Sequence, residues 1–278
     1  MNHVALAHAR TFLFVPGDRS ERFAKAVASG ADAVILDLED SVPLGAKHAA
    51  RQAVAGAWPE LLAMPLPLLV RINALETSEG RDDVEWLRGL APAAGVMVPK
   101  AESVEAIAGV GDRLPGIALL PLIESAAGYA ALNGIAGVSG VIRLAVGHID
   151  FMADTGIQCS PDEPELAPLR FAVAMATRLA RLAPAVDGVT VDIDDEARLR
   201  EDSRRALRFG FGGKLCIHPR QIAVVHDAMT PGAQELDWAR RVVAAATESG
   251  GAAVQVDGRM VDLPVVLQAQ RTLARTLR

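Results

Sequence analysis

Short runs of almost unbroken apolar residues recur along the chain: TFLFV (11–15), AVILDL (33–38), PLLVRI (67–72), GVMVP (95–99), GIALLPLI (116–123), VIRLAVG (141–147), VDGVTVD (186–192) and GKLCI (213–217). Continuous apolarity, as opposed to alternation, marks strands buried on both faces of a parallel sheet. The stretches between carry helix signals. Ser20 opens ERFAKAVASG, with Phe23 and Val27 on one face and Gly30 as its stop. Asp82 and Asp83 begin a short helix, Ser103 precedes another, and Ser125 caps SAAGYAALNGIAG. From Asp194, DDEARLREDSRRALRF has its acids first and Arg204, Arg205 and Arg208 last, which complements the helix dipole. Strand and helix alternate eight times, and this predicts an α/β fold, a (β/α)8 TIM barrel over residues 1–249. A doubly wound open sheet is the alternative, but VPGDRS after the first run is not the glycine fingerprint of a dinucleotide site.

Two stretches fall outside the eight repeats. CSPDEPELAPLR (159–170), rich in proline and acid, reads as a loop leading into a helix over 168–183. Residues 250–278 read as a C-terminal extension: strands VQV and MVD around an Asp257-Gly258 turn, then a helix from about Pro264. Such a tail has no place in the barrel itself and suits a lid or an oligomerisation arm.

Composition narrows the function. The 278 residues are 51% hydrophobic and 22% charged, which excludes a disordered chain. A net charge of −6 with 4% aromatics argues against a nucleic-acid surface. Cys159 and Cys216 stand alone, without metal or disulfide spacing. No secretory leader and no membrane span are recognisable, so a soluble, cytoplasmic protein is expected.

Barrel chemistry gathers where strands end. Asp18 and Arg19 follow the first run, Asp37, Glu39 and Asp40 the second, and Arg71 and Asn73 the third. Lys100 follows the fourth, Glu124 the fifth, His148 and Asp150 the sixth, Asp192 the seventh and His218 the eighth. Glu124 and Asp150 end adjacent strands, and two carboxylates that close raise each other's pKa unless a cation lies between them. Few, hard oxygen ligands favour Mg2+. The same two residues would serve equally as caps of the helices that follow. Arg71 and Arg19 suit carboxylate or phosphate recognition, with ion pairing to Glu39 or Asp37 as the alternative for Arg71.

FLFVPGDRSERFAKA (12–26), GADAVILDLEDSV (30–42), RINAL (71–75), VPKAES (98–103), LPLIESAAG (120–128), GHIDFMADTG (147–156), GKLCIHPRQI (213–222) and DGRMVDLPVV (257–266) together resemble the citrate lyase beta-subunit family of the HpcH/HpaI aldolases. That resemblance implies a Mg2+-dependent barrel enzyme, a homotrimer or hexamer, acting on a carbon–carbon bond beside a CoA thioester. It implies metal ligation by Glu124 and Asp150, and 2-oxo-acid binding by Arg71, with Glu39 and Lys100 as further substrate contacts. It also implies CoA contacts at Phe14, Arg19 and Lys25, and proton transfer by Asp262 delivered from a neighbouring subunit. Relatives often read G-x-E-D where this chain has Gly147-His148-Ile149-Asp150, which bears on substrate choice. The reaction expected is cleavage of a malyl-, citramalyl- or citryl-CoA, or its reverse. The alternatives are a thioesterase on the same esters and a non-catalytic or acyl-carrier-dependent lyase subunit.

Overall fold

The computed structural model describes residues 2–90 and 93–276. By its contacts the chain divides into two compact units, Met1–Val225 and His226–Arg278. The first is a closed barrel of eight parallel strands: β1 Thr11–Pro16, β2 Ala33–Asp37, β3 Leu68–Arg71, β4 Gly95–Val98, β5 Ala118–Ile123, β6 Ala145–Val146, β7 Val186–Asp187 and β8 Gly213–Cys216. β1 pairs with β8 to close the ring, and helices connect the strands. Phe12, Ile35, Leu69, Met97, Leu120 and Leu215 fill the interior, so the barrel is a packed core. Leu6 and Ala9, at the end of the helix Asn2–His8, extend that core. The fully buried Arg143 donates to the carbonyls of Leu6, Ala9 and Pro184 at that end.

Each strand forms where its apolar run lies, but β6 and β7 are short. In VIRLAVG, Val141 makes only an isolated bridge to Leu119, and Arg143 turns its side chain to the carbonyls below. VDGVTVD leaves the sheet at Gly188, where a Cβ would fall on the His148 ring. The seventh strand therefore ends at Asp187, and Asp192 lies exposed in the following loop, accepting from the Asp194 N–H. Ser103 and Ser125 cap their helices as read, accepting from Ala106 and Gly128 N–H groups. The helix Ser78–Arg88 is instead capped by Thr77, and Asp83 sits buried within it, bound by Arg51 and Asn73.

The second unit has its own core. β9 Val254–Val256 and β10 Arg259–Val261 form a hairpin whose turn residues Asp257 and Gly258 both have positive φ, 48° and 75°. The helix Leu263–Ala274 follows, and Ala269 and Val261 pack with Ala239 and Val242 of the helix Ala233–Glu248. Among the described residues no helix is long and apolar enough to cross a membrane.

Candidate active site

The strand register builds the site. Asp37 at the end of β2 lies opposite Arg71 at the end of β3, and the guanidinium grips that carboxylate in a bidentate fork. Arg71 Nε donates to Asp37 Oδ1 at 2.6 Å and Nη2 to Oδ2 at 2.7 Å. Nη1 is 2.9 Å from Glu39 Oε2, and the Phe14 ring lies under the guanidinium, its centroid 4.8 Å from Cζ. Glu39 Oε2 has no partner that meets hydrogen-bond geometry, but at that distance its charge is matched, and we read the contact as an ion pair. Burial works against ionised Asp37, yet Arg71 and nearby N–H groups hold its pKa below the ordinary 3.8. For Glu39 burial prevails over Arg71 and Lys100, and its pKa rises.

Lys100, after β4, is one of four described non-glycine residues with positive φ, at 45°. That uncommon backbone turn aims its N–H at Glu124 Oε1, 2.7 Å away. Its ammonium faces Glu39 Oε1 at 3.4 Å and Asp150 Oδ1 at 3.8 Å. Burial of Lys100 is outweighed by Glu39, Glu124 and Asp150, which raise its pKa. Glu124 is buried beside β6, and Gly147 is needed there because a Cβ would fall on the Glu124 carboxylate. Burial first, then the charges of Glu39 and Asp150, push Glu124 up to about 8, against the Lys100 N–H.

Glu124 in that state is short of positive charge, and with Asp150 beside it the donor set fits a hard divalent cation. Among the described residues no cluster of three or more His, Cys, Asp or Glu forms a cage. Two carboxylates with the other positions left to water and substrate oxygens are what Mg2+ takes. Glu124 and Asp150 are the residues that would hold it.

Arg71, Glu124, Asp150 and Phe14 line one cavity of about 400 Å3, together with Asp37, Asp40 and aliphatic side chains. Glu39 and Lys100 touch its polar side through Arg71 and Asp150. Arg19 and Lys25 are exposed and do not line it; Arg19 lies 3.8 Å from Glu21. His218 accepts from the Arg220 N–H. Asp262 belongs to the second unit, where it precedes the helix Leu263–Ala274 without capping it.

One polar network was not visible in the sequence. Glu163, at φ 50°, accepts from Arg170 at 2.7 Å, Arg205 at 2.8 Å and Arg198 at 2.9 Å. Arg170 also donates to Asp187 at 3.1 Å, and His148 Nε2 lies 3.9 Å from Glu163. Burial lowers the His148 pKa despite Glu163 and Asp187. The proline- and acid-rich loop and the arginine-rich helix were the only signals, and neither names its partner.

Comparison with known proteins places this geometry. Residues 10–219 match the model of the HpcH/HpaI aldolase/citrate lyase family. A citrate lyase subunit beta-like protein of Mycobacterium tuberculosis is 38% identical over 270 residues, covering 95% of this chain and 94% of that protein. The (3S)-malyl-CoA thioesterase of Cereibacter sphaeroides is 30% identical over 269 residues, covering 96% and 94%. The crystal structure of M. tuberculosis CitE with magnesium, acetoacetate and coenzyme A matches at a TM-score of 0.85 and 36% identity, over 98% of this chain and 100% of that one. The match spans the barrel from β1 to the loop after β8 and includes every strand end described above, and the chain belongs to the HpcH/HpaI aldolase/citrate lyase family.

Proposed function

We propose that the cavity cleaves a 3-hydroxyacyl-CoA of the malyl-, citramalyl- or citryl-CoA kind to an acyl-CoA and a 2-oxo acid, or joins the two. The observation that carries this reading is the meeting of Glu124 and Asp150 with Arg71 in one cavity. A 2-hydroxy or 2-oxo acid offers a carboxylate for the guanidinium and two oxygens for a metal. The M. tuberculosis CitE complex with magnesium and pyruvate supports that ligand set, and the complex with magnesium, acetoacetate and coenzyme A supports a CoA site beside it.

Bound Mg2+ supplies Lewis-acid polarisation of the substrate's hydroxyl and carboxylate oxygens. Arg71 orients the carboxylate; Asp37 takes two of its five N–H groups in hydrogen bonds, and Glu39, held only as an ion pair and with its pKa raised, is the partner that gives way. Lys100 holds Glu124 through its N–H and balances Glu39 and Asp150 through its ammonium. In cleavage the hydroxyl proton passes to a base, and the bond from the carbinol carbon to the carbon beside the thioester breaks. Its electron pair becomes the thioester enolate, which takes up a proton to give the acyl-CoA. Asp262 from a neighbouring copy's tail is our acid–base group. Phe14 together with the exposed cations Arg19 and Lys25 receives CoA and its phosphates. The account needs a homotrimer or hexamer, and a cytoplasmic setting suits its two free thiols.

The thioesterase relative favours a second reading, in which water attacks the thioester carbonyl and free CoA leaves. Mass spectrometry of malyl-, citramalyl- and citryl-CoA incubated with protein and Mg2+, against an EDTA control, tests the choice. Acyl-CoA plus a 2-oxo acid supports the lyase, and free CoA supports the thioesterase. Turnover only of esters carried on an acyl carrier protein identifies a carrier-dependent subunit, and no turnover of either identifies a barrel that does not catalyse.

A further inference from the structure

The cavity is divided by strand order. Its charged groups come from one arc of the ring: Asp37 and Asp40 follow β2, Arg71 ends β3, Glu124 follows β5 and Asp150 follows β6. β7 and β8 add no charged group, and apart from Phe14, Ser41 and His148 the rest of the lining is aliphatic or glycine. Ile149 after β6, Val189 after β7 and Ile217 after β8 come from three consecutive strands and supply an aliphatic lip to the lining. Leu122, Val146 and Leu215, from β5, β6 and β8, add to the apolar lining. Ile149 and Ile217 are 40% and 41% exposed. Large aliphatic side chains held in water at a cavity mouth gain by covering apolar surface on a ligand.

The charges point the same way. Among the described lining residues Arg71 is the one permanent cation, against four carboxylates. The Lys100 ammonium is already turned to Glu39 and Asp150. Once a divalent cation and Arg71 have taken the first carboxylate of a substrate, a second carboxylate would meet an aliphatic wall and an acidic rim, and desolvating it there is costly.

Malyl-, citramalyl- and citryl-CoA differ only in the third substituent of the carbinol carbon: hydrogen, methyl or a carboxymethyl group. Resting on the lyase reading, we infer that the lip of Ile149, Val189 and Ile217 selects an alkyl substituent there and rejects a carboxylate. The favoured 2-oxo acid is then a monocarboxylate with an alkyl chain, pyruvate or a longer homologue. Oxaloacetate is disfavoured. The isoleucine at position 149 contributes directly, since an acidic or basic side chain beside Asp150 would give the wall the charge it now lacks.

The test is calorimetric titration of the Mg2+-loaded protein with pyruvate, glyoxylate and oxaloacetate, without CoA, on wild type, Ile149→Lys and Ile217→Lys. Both positions are half-exposed, so the fold tolerates either change, and two variants guard against a local artefact at one of them. Pyruvate is expected to bind at least about tenfold more tightly than glyoxylate, since a methyl group in an apolar pocket carries discrimination of that order, and more tightly than oxaloacetate, whose second carboxylate is costly to desolvate there. Either lysine is expected to narrow or reverse the pyruvate–oxaloacetate ratio. Oxaloacetate binding as well as pyruvate to the wild type overturns the inference and leaves the lyase reading standing. Unchanged ratios in both variants also overturn it, since the lip then does not meet the substituent of the oxo acid. Binding of none of the three acids overturns both readings together.

Discussion

Asp37 and Arg71 stand opposite each other in the β2–β3 register and are joined by two hydrogen bonds of 2.6 and 2.7 Å. The pair fixes the plane of the guanidinium before any substrate arrives, and orientation in advance is a large part of what such a site contributes. Arg71→Lys keeps the charge and loses the fork. It is expected to lower kcat/KM by about 100-fold, the scale of a reacting group misplaced by roughly an ångström. Steady-state kinetics on the best CoA ester checks this, and a variant within threefold of wild type contradicts the role given to Arg71.

Magnesium binding is expected to be linked to pH through Glu124. Its pKa is pushed up to about 8, far above the ordinary 4.5, so the metal-free protein carries the proton near neutrality. A raised folded-state pKa adds stability that is complete below about 4.5 and fades as pH rises through 8. Mg2+ must displace that proton, so its affinity should rise by up to about tenfold per pH unit below pH 8 and level off above. Titrations at pH 6, 7 and 8.5, in buffers of different ionisation enthalpy, read both affinity and released protons. Equal affinity at all three, or binding retained in Glu124→Gln, contradicts the assignment.

Gly147→Ala places a methyl group on the Glu124 carboxylate. The φ of −105° is negative and does not itself call for glycine, so the effect is steric. It is expected to cost about 1–3 kcal/mol of stability and to abolish Mg2+ binding. Thermal unfolding with and without the metal reads both: the wild type should gain stability from Mg2+ and the variant should not.

Acid stability should depend on Asp37 and Asp187. Both are held below the ordinary 3.8; at each, burial is overcome by an arginine, Arg71 for the first and Arg170 for the second. A lowered folded-state pKa adds stability that is present above 3.8 and is lost as pH falls through the folded value, because the unfolded chain takes up protons first. Denaturant unfolding between pH 5 and 2.5 should show stability falling below pH 4, with a shallower fall in Asp187→Asn. A variant with the same slope would set that contribution aside.

Removing Glu163 takes the common carboxylate from three arginines, leaving buried Arg170 with Asp187 alone and Arg198 and Arg205 with Asp202 alone. Breaking a buried ion pair on one side costs about 3 kcal/mol or more, so Glu163→Ala should lower the unfolding midpoint clearly. An unchanged midpoint would show that Asp187 and Asp202 suffice to balance the arginines.

The barrel was legible because a strand covered on both faces must be apolar throughout, as AVILDL and GIALLPLI are. β6 and β7 were read too long because Arg143 and Gly188 take their conformation from distant partners, the carbonyls of Leu6 and Ala9 and the ring of His148. At the site, Arg71 and Glu124 were legible as residues at strand ends; Asp150 was read as ending its strand but lies in the first turn of the helix His148–Thr155 that follows β6. The ion pair of Arg71 with Asp37 and Glu39 appeared only as one option among others, since register decides it. The left-handed turn at Lys100 had no sequence signal, for lysine is not a residue that favours it. Nor did Glu163 announce its arginines, which follow it at 170, 198 and 205 and meet it only in the folded chain.

The most direct test of the proposed reaction is cleavage of citramalyl-CoA in D2O with Mg2+, followed by mass spectrometry of the thioester product. An enolate that is protonated after carbon–carbon cleavage should yield acetyl-CoA with one deuterium in its methyl group, together with pyruvate. Free CoA and an intact, undeuterated citramalate would contradict the account.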